Sequence, residues 1–404
     1  MYLLLLLIFQ LLTQSNSNEK IIKLQYSKIG GRYHLVHSVK LSNNLGITLF
    51  NSISLKKHTY IASNYLINES EYFKHSPYTI IEINNNGIQC KVITTELTFD
   101  ENTKLNFTFL NSKETNVYLP EEAEFPFPVK IKDQKYSLLY QAYKDKHIDK
   151  LIFAFENISK EKGYLYLGGL PLQTKKGKYE NKCQIENKLN KYESLWGCKL
   201  NYVYIGNYHK QRTNVYMNNQ NYYSSFDTNI SHIISPGSFI EYLRDNLFYD
   251  YINNSKCTYH KNEGTFECIC DIFIDKLSSI TFSFGKEFTI QINKLASIIG
   301  TKEDKYCKLN IIKNQKRNEW IFGTSFLNNY DIEFYPEQEE IIFFSGREFT
   351  KGKVYDTNDS EINNKSSLKM LFIIIISMES ICGFELMVQK LMINLNKNSR
   401  VNLH

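Results

Sequence analysis

The sequence predicts an all-β fold built as two related halves, and three observations support this prediction. Aromatic residues make up 14% of the 404 residues, with 29 Tyr and 26 Phe, and such residues favour strands over helices. Short alternating runs of apolar and polar residues recur along most of the chain, separated by polar turns. A turn-like segment at residues 50–54 also has a counterpart at residues 226–231, and each ends in a small hydroxyl residue. A turn repeated once per half indicates two lobes that face each other across a cleft.

The composition fits a packed globular chain. The hydrophobic share is 42%, and the length allows two domains of ordinary size. The net charge of +6 is spread along the chain without a run of five like charges. We therefore expect no nucleic-acid partner.

The first residues indicate entry into the secretory pathway. An apolar run from Met1 to Leu12 turns polar at residues 13–17. About a dozen apolar residues are too few to span a bilayer but suit a secretory signal peptide, which we assign to residues 1–17. A short buried anchor is the alternative, since no Lys or Arg precedes the apolar run.

The cysteines agree with that compartment. Of the eight, seven lie in the body of the chain, and six of these are disulfide candidates. The candidates are Cys183, Cys198, Cys257, Cys268, Cys270 and Cys307. Cys183 and Cys198 can close a local loop, and the other four candidates can form one or two bridges. The sequence does not fix the pairing. Cys90 is the thiol left without a partner in this scheme. A zinc site is a poor alternative because Cys268 and Cys270 lack the usual two-residue gap, so we expect no metal and no cofactor.

Glycosylation sequons support the secretory route as a group, although an Asn-rich chain produces some of them by chance. They start at Asn68, Asn106, Asn157, Asn229, Asn253, Asn358 and Asn364. We expect a glycoprotein that is extracellular, vacuolar or lysosomal, or attached to a membrane.

The first half, up to residue 172, consists of short strands with polar turns. Residues 78–93 predict a hairpin around an Asn-rich turn. Residues 133–144 predict a helix with Asp133 as its cap. Residues 163–169 alternate as a strand that enters a glycine turn.

The second half, residues 173–349, repeats this organisation. Residues 235–247 predict a short amphipathic helix, because Pro236 lies near its start and apolar residues recur at intervals of four. Strands follow within residues 279–292 and 332–344. Many short strands with few helices are typical of a barrel or a sandwich.

The end of the chain differs in character. Residues 350–367 are polar and predict a linker. Residues 368–404 turn apolar but contain Glu379 and Glu385, and a charged residue near a bilayer centre is costly. A spanning helix, a cleaved lipid anchor and an incorrect gene end all stay open, so the sequence leaves C-terminal membrane association undecided.

The ordered motifs resemble the pepsin family of aspartic peptidases over about residues 24–344. The similar passages are residues 50–54, 138–169, 196–206, 226–231 and 320–330. The resemblance implies a bilobal pepsin-like fold with two related β-barrel lobes and a central cleft crossed by a flap hairpin. The lobes would be residues 18–172 and 173–349, and the flap would lie at residues 83–92 of the predicted hairpin.

The resemblance also implies the residues of the site. The catalytic positions are Asn51 and Asp227, the loop hydroxyls belong to Ser52 and Thr228, and the flap positions are Ile83 and Gly87. The family has Asp at the first catalytic position, so this chain resembles a degenerate member. Ile53 and Asn229 replace the two loop glycines, and no Tyr lies between Thr79 and Lys91, where the family's flap has one.

Aspartic catalysis needs two carboxyl groups that share one proton, so that one accepts a proton from water while the other donates to the carbonyl oxygen. The amide of Asn51 cannot ionise. Losing one acid–base partner costs about 10²–10⁴ in rate. A misaligned position 51 is the alternative, but no Asp precedes Asp100. For Asp227, the alternative is an aspartate that caps a turn.

The residues support three functional hypotheses. The first is a secretory pepsin-like protein that has lost peptidase activity and binds a peptide or protein segment in its cleft. The second is an active aspartic endopeptidase that relies on Asp227, with unusual proton handling or with Asn51 deamidated to Asp. The third is a structural protein of the cell surface or of a granule, which a glycan on Asn229 would favour. We expect a monomer.

Overall fold

The computed structural model divides the chain into two compact units, Met1–Lys353 and Val354–His404. All described residues lie in the first unit: 19–40, 46–55, 61–62, 70–83, 86–112, 124–129, 135–159, 161–185, 196–200, 202–205, 215–216, 222–272, 280–284, 287–290, 296–298, 306–314 and 319–345. The predicted signal peptide (1–17), linker (350–367) and apolar tail (368–404) lie outside them.

Strands dominate the described chain, so the all-β prediction is confirmed. The strands are β1 Ile22–Ile29, β2 Arg32–Lys40, β3 Gly46–Ser54, β4 Ile61–Ala62, β5 Tyr78–Ile83, β6 Asn86–Thr98, β7 Lys104–Ser112, β8 Glu124–Pro126, β9 Phe153–Asn157, β10 Lys162–Leu167, β11 Tyr179–Gln184, β12 Gly197–Leu200, β13 Tyr202–Ile205, β14 Val215–Tyr216, β15 Tyr222–Phe226, β16 Ile233–Ser235, β17 Cys257–His260, β18 Thr265–Ile269, β19 Ile280–Ser283, β20 Glu287–Ile290, β21 Ala296–Ile298, β22 Tyr306–Leu309, β23 Ile311–Lys313, β24 Trp320–Phe322, β25 Asp331–Tyr335 and β26 Glu340–Ser345. The helices are α1 Leu138–Lys144, α2 Leu172–Lys175, α3 Gly237–Asn246, α4 Tyr249–Asn253 and α5 Thr324–Leu327, with a 3₁₀ turn at Glu71–Phe73.

The largest sheet combines strands from both ends of the sequence. It has 13 strands, and β11, β26 and β25 continue through β9 and β10 to β1, β2, β6, β7 and β4. The late strand β25 pairs with β9, with Ile332 opposite Phe155 and Phe334 opposite Phe153. The other sheets, of five, four and four strands, contain only strands from β12 onward. The end of the second half is therefore hydrogen-bonded directly to the first half.

Aromatic side chains fill the core where these strands meet. The rings of Phe153 and Phe334 stack with centroids 4.6 Å apart, and Trp196 lies edge-on to Phe334 at 5.0 Å. The buried indole N–H of Trp196 donates to the carbonyl oxygen of Phe127 over 2.6 Å. This polar group is therefore hydrogen-bonded although it is buried. Aromatic side chains from β9, β25 and the residue just before β12 therefore form one continuous part of the core.

Two predicted helices are present, one of them shortened. Helix α3 follows Pro236 directly, as predicted. Helix α1 begins at Leu138 with Ser137 as the preceding extended residue, so the start predicted at Asp133 was too early. The apolar face was predicted correctly, because Leu138, Leu139 and Ala142 are buried.

Three disulfides settle the pairing that the sequence left open. They join Cys183 to Cys198, Cys257 to Cys268 and Cys270 to Cys307. Cys257 and Cys268 lie directly opposite each other on β17 and β18. Cys90 is buried on β6, outside these three pairs.

His37 on β2 is a buried histidine, and neither ring nitrogen has a hydrogen-bond partner within the described ranges. Its ring packs against Phe99 and Phe125, with centroids 5.7 and 5.0 Å away. Burial lowers the pKa of His37 from its ordinary 6.5 to about 4. As pH falls from 6.5 to 4, the unfolded chain therefore takes up a proton at His37 that the folded chain does not. Stability is lost through this window, by about 3 kcal/mol at its acidic end.

Replacing His37 with Leu should remove this acid sensitivity, because Leu fills a similar apolar space and does not titrate. Urea unfolding at pH 7 and at pH 4 checks the prediction: the wild type should lose about 3 kcal/mol more than the variant between the two conditions. The exposed His147 offers a matched control, since His147→Leu should leave the loss as in the wild type. Equal losses in the wild type and the His37→Leu variant would contradict the prediction.

Candidate functional site

The two related segments lie in similar sheet environments. Strand β3, which contains Asn51, runs parallel to β8, with Ser52 opposite Glu124 and Ile53 opposite Phe125. Strand β15, which leads to Asp227, runs parallel to β24. Each segment is therefore flanked by a strand that comes much later along its own half of the chain.

The first segment is a strand, which corrects the expectation of a turn. Asn51 pairs with Leu35 of β2, and β3 continues through Ser54. Asn51, Ser52 and Ile53 are 4%, 2% and 0% exposed. A β-branched Ile in place of a loop glycine suits this extended backbone. The replacement therefore causes no left-handed strain, since Ile53 does not have a positive φ angle.

The second segment does form a turn, and the carboxylate of Asp227 closes it. Asp227 is 4% exposed, and its backbone N–H donates to the carbonyl oxygen of Phe322 over 3.1 Å. Its Oδ1 atom accepts a hydrogen bond from the backbone N–H of Asn229 over 2.9 Å. A carboxylate bonded to the N–H two residues on is an Asx turn. This is the turn-capping role that the sequence left as an alternative for Asp227.

A buried hydrogen bond connects the two segments. The hydroxyl of Thr228, which is 0% exposed, donates to the carbonyl oxygen of Ile53. Ser52, the other hydroxyl implied by the resemblance, is buried on β3 opposite His34. The Thr228 bond holds the Asp227 turn against the strand that contains Asn51.

Replacing Thr228 with Val should lower the free energy of unfolding by about 1–3 kcal/mol, because the isosteric side chain leaves the buried carbonyl of Ile53 without its donor. Thr228→Ser keeps the hydroxyl and serves as the control, with a smaller loss. Chemical denaturation of the three proteins checks this. A Val variant as stable as the Ser variant would contradict the role assigned to the hydroxyl.

Glu124 contacts the Asp227 turn, and sequence analysis assigned it no role. Its Oε1 atom accepts a hydrogen bond from Nδ2 of Asn229 over 2.9 Å. Asn229 thus binds one carboxylate through its backbone and another through its side chain. The Oδ1 atom of Asn229 is buried and has no partner among the residues described. No local motif marks Glu124, because only the long-range pairing of β8 with β3 brings it to this site.

The hairpin predicted at residues 78–93, which the resemblance identifies with the flap, is present in the backbone. In β5 and β6, Tyr78 pairs with Lys91, Glu82 with Gly87, and Ile83 with Asn86. The flap positions Ile83 and Gly87 therefore lie at the last pairs before residues 84–85, which fall outside the described chain. Tyr78 and Ile80 share one face of β5 and are 49% and 72% exposed. The hairpin has a Tyr at its base rather than near its tip.

Residues 320–330 form hydrogen bonds with the residues that follow the Asp227 turn. The backbone N–H groups of Gly323 and Thr324 donate to the carbonyl oxygens of His232 and Ile230, over 3.2 and 2.7 Å. The Thr324 hydroxyl also donates to the carbonyl oxygen of Gly31 over 2.5 Å. The hydroxyl of Thr324 thereby connects the end of β24 to the β1–β2 turn.

An all-β fold in which a buried threonine hydrogen bond joins the two related segments is consistent with a pepsin-like protein. The model of the family described as eukaryotic aspartyl protease matches residues 127–345, which is more than half of the chain. The chain belongs to the eukaryotic aspartyl protease family. A search of curated proteins finds no match. The matched span contains Asp227 and begins after Asn51 and the hairpin of β5 and β6.

The family and the three disulfides fit a secreted or lysosomal protein. No helix within the described ranges combines the length and apolar character needed to cross a membrane.

Proposed function

We propose that this chain is a secretory-pathway aspartyl protease homologue that has lost peptidase activity and binds an extended peptide or protein segment in its cleft. The observation that carries the proposal is Asn51. An amide at the first catalytic position cannot ionise, so the proton sharing that aspartic catalysis requires is absent at this pair.

The geometry of both segments supports a protein that has lost peptidase activity but has kept the hydrogen bond that joins them. Asn51 lies inside a continuous strand and is buried, which suits a structural residue. Asp227 caps its own turn through Asn229. The Thr228 bond to Ile53 still joins the segments. A site that keeps its cross-link but lacks one acid is suited to binding rather than hydrolysis.

The test uses the full chain purified from the medium or lumen of a eukaryotic secretory host. A defined library of eight-residue peptides is incubated with it from pH 2 to pH 7, and products are identified by mass spectrometry with and without pepstatin. We expect no cleavage that depends on Asp227, and saturable binding of intact fluorescent peptides. Pepstatin-sensitive turnover that disappears in the Asp227→Asn variant would overturn the proposal, and an absence of peptide binding would overturn its second part.

Residual endopeptidase activity is the second candidate function, and Glu124 is the observation that favours it. The carboxylate of Glu124 accepts a hydrogen bond from Asn229, and Asn229 also binds Asp227. Glu124 is therefore a second acid beside the Asp227 turn. If turnover is found, Glu124→Gln separates two explanations: it would abolish activity that depends on this carboxylate but spare activity that depends on deamidated Asn51. Peptide mapping for Asp at position 51 identifies the latter.

A further inference from the structure

Four of the seven glycosylation sequons lie on described residues, and the structure separates them into two pairs. The four are Asn106, Asn157, Asn229 and Asn253. N-linked glycosylation attaches the sugar to the side-chain nitrogen Nδ2, so a folded chain accommodates it only where this atom faces solvent and is not needed as a donor. The other three sequons fall outside the described ranges.

The Nδ2 atom of Asn157 is fully used inside the protein. It donates to the carbonyl oxygens of Leu327 and Tyr330 over 3.1 and 2.5 Å. The Oδ1 atom of the same amide accepts a hydrogen bond from the hydroxyl of Tyr26 over 2.9 Å. These bonds connect β9 to the end of α5. A sugar on Nδ2 would remove one of its two hydrogens and push β9 away from α5, which leaves buried carbonyl groups without donors.

The amide of Asn229 is also engaged. Its Nδ2 atom donates to Glu124 over 2.9 Å, and its Oδ1 atom is buried. A sugar attached there would have to enter the space between the Asp227 turn and β8. A glycan on Nδ2 would therefore disturb the contact between the Asp227 turn and Glu124.

Asn106 and Asn253 have the opposite surroundings. Asn106 is exposed on β7 between the buried residues Leu105 and Phe107, so strand alternation points its side chain away from the core. Asn253 is the exposed last residue of α4, and the two residues that complete its sequon are exposed as well. At both positions a sugar attached to Nδ2 extends into solvent.

We propose that the folded protein carries N-linked glycans on Asn106 and Asn253 and none on Asn157 and Asn229. In this modification Nδ2 loses a proton and forms a C–N bond to the anomeric carbon of a lipid-linked oligosaccharide, and the C–O bond to the lipid diphosphate breaks. The diphosphate leaves with that electron pair. The inference rests on the secretory-pathway part of the proposed function and is independent of any loss of activity.

The full chain is expressed in a eukaryotic secretory host, and the soluble folded protein is treated with peptide N-glycosidase in ¹⁸O-water after proteolysis. Each glycosylated Asn becomes an ¹⁸O-labelled Asp, which mass spectrometry locates. We expect the label at positions 106 and 253 and unmodified Asn at 157 and 229. Asn106→Gln and Thr108→Ala should each remove the same glycan, and so should Asn253→Gln and Ser255→Gly, because both members of each pair destroy one sequon.

Label at position 157 or 229 in the folded protein would overturn the inference. Label confined to the other sequons, with positions 106 and 253 unmodified, would overturn it too while leaving the secretory pathway intact. A protein without any label would overturn both this inference and the secretory part of the proposed function. Loss of peptidase activity is measured separately, so its outcome stays distinguishable from all of these.

Discussion

Replacing Gly323 with Ala should destabilise the protein by about 3 kcal/mol or more, which is among the largest single effects we expect. A Cβ atom at this position would lie 2.3 Å from the carbonyl oxygens of both Ile230 and His232. Both oxygens belong to the backbone and accept hydrogen bonds from residues 323 and 324, so they cannot move away without losing those bonds. The effect is purely steric, because the φ angle of Gly323 is −83° and lies in the ordinary region.

The consequence of this clash should reach the Asp227 turn, since residues 230–232 follow it directly. Urea denaturation measures the stability loss, and Gly46→Ala is the matched control because its Cβ would meet only one atom, at 3.4 Å. We expect the control to change the free energy of unfolding by less than about 1 kcal/mol. Equal changes in the free energy of unfolding for Gly323→Ala and Gly46→Ala would contradict the predicted clash at Gly323.

The elements that could be predicted from sequence are those specified by neighbouring residues. The hairpin of β5 and β6 followed from two alternating runs around an Asn-rich turn, and α3 followed from Pro236 and regularly spaced apolar residues. The all-β class followed from composition and short alternation. In each case the information lies within about a dozen residues, which is the range over which pattern and propensity act.

The elements that sequence reasoning missed depend on contacts between distant residues. Asn51 was expected in a turn, but β3 continues because β2 pairs with it on one side and β8 on the other. Glu124 was overlooked for the same reason. The bridge between Cys270 and Cys307 joins residues 37 positions apart and depends on the pairing of β18 with β22. Long-range pairing decides these features, and no local pattern records it.

The resemblance predicted candidate site residues, but the hydrogen bonds among them could not be predicted from the sequence. The resemblance identified Asn51 and Asp227, and the family match covers the second of these. It did not reveal that Asn229 binds Asp227 and Glu124 together. The bond to Glu124 exists because Asn has a side chain where the family has Gly. A substitution interpreted only as a loss has therefore also added a contact.

Replacing Lys175 with Met should cost about 3 kcal/mol at pH 7, because it leaves the buried carboxylate of Glu333 without its cation. Glu333 is 0% exposed on β25, and its Oε1 atom lies 2.6 Å from Nζ of Lys175. The backbone N–H of Leu170 and the hydroxyl of Tyr335 also donate to this carboxylate, over 2.7 and 2.5 Å. Burial, followed by the bond to Glu333, raises the pKa of Tyr335, so this hydroxyl stays a neutral donor. Two neutral donors do not replace a full positive charge.

Neutralising the acid should rescue the Lys175→Met variant. Adding Glu333→Gln removes the buried charge while keeping an oxygen that accepts from Leu170, so the double variant should recover most of the loss. Lys74→Met is the control, because Lys74 and Glu71 form an ion pair with side chains 61% and 82% exposed. Pairs of that kind contribute about 0–1 kcal/mol. Equal costs for Lys74→Met and Lys175→Met would contradict the prediction, because burial of Glu333 would then not make its ion pair important.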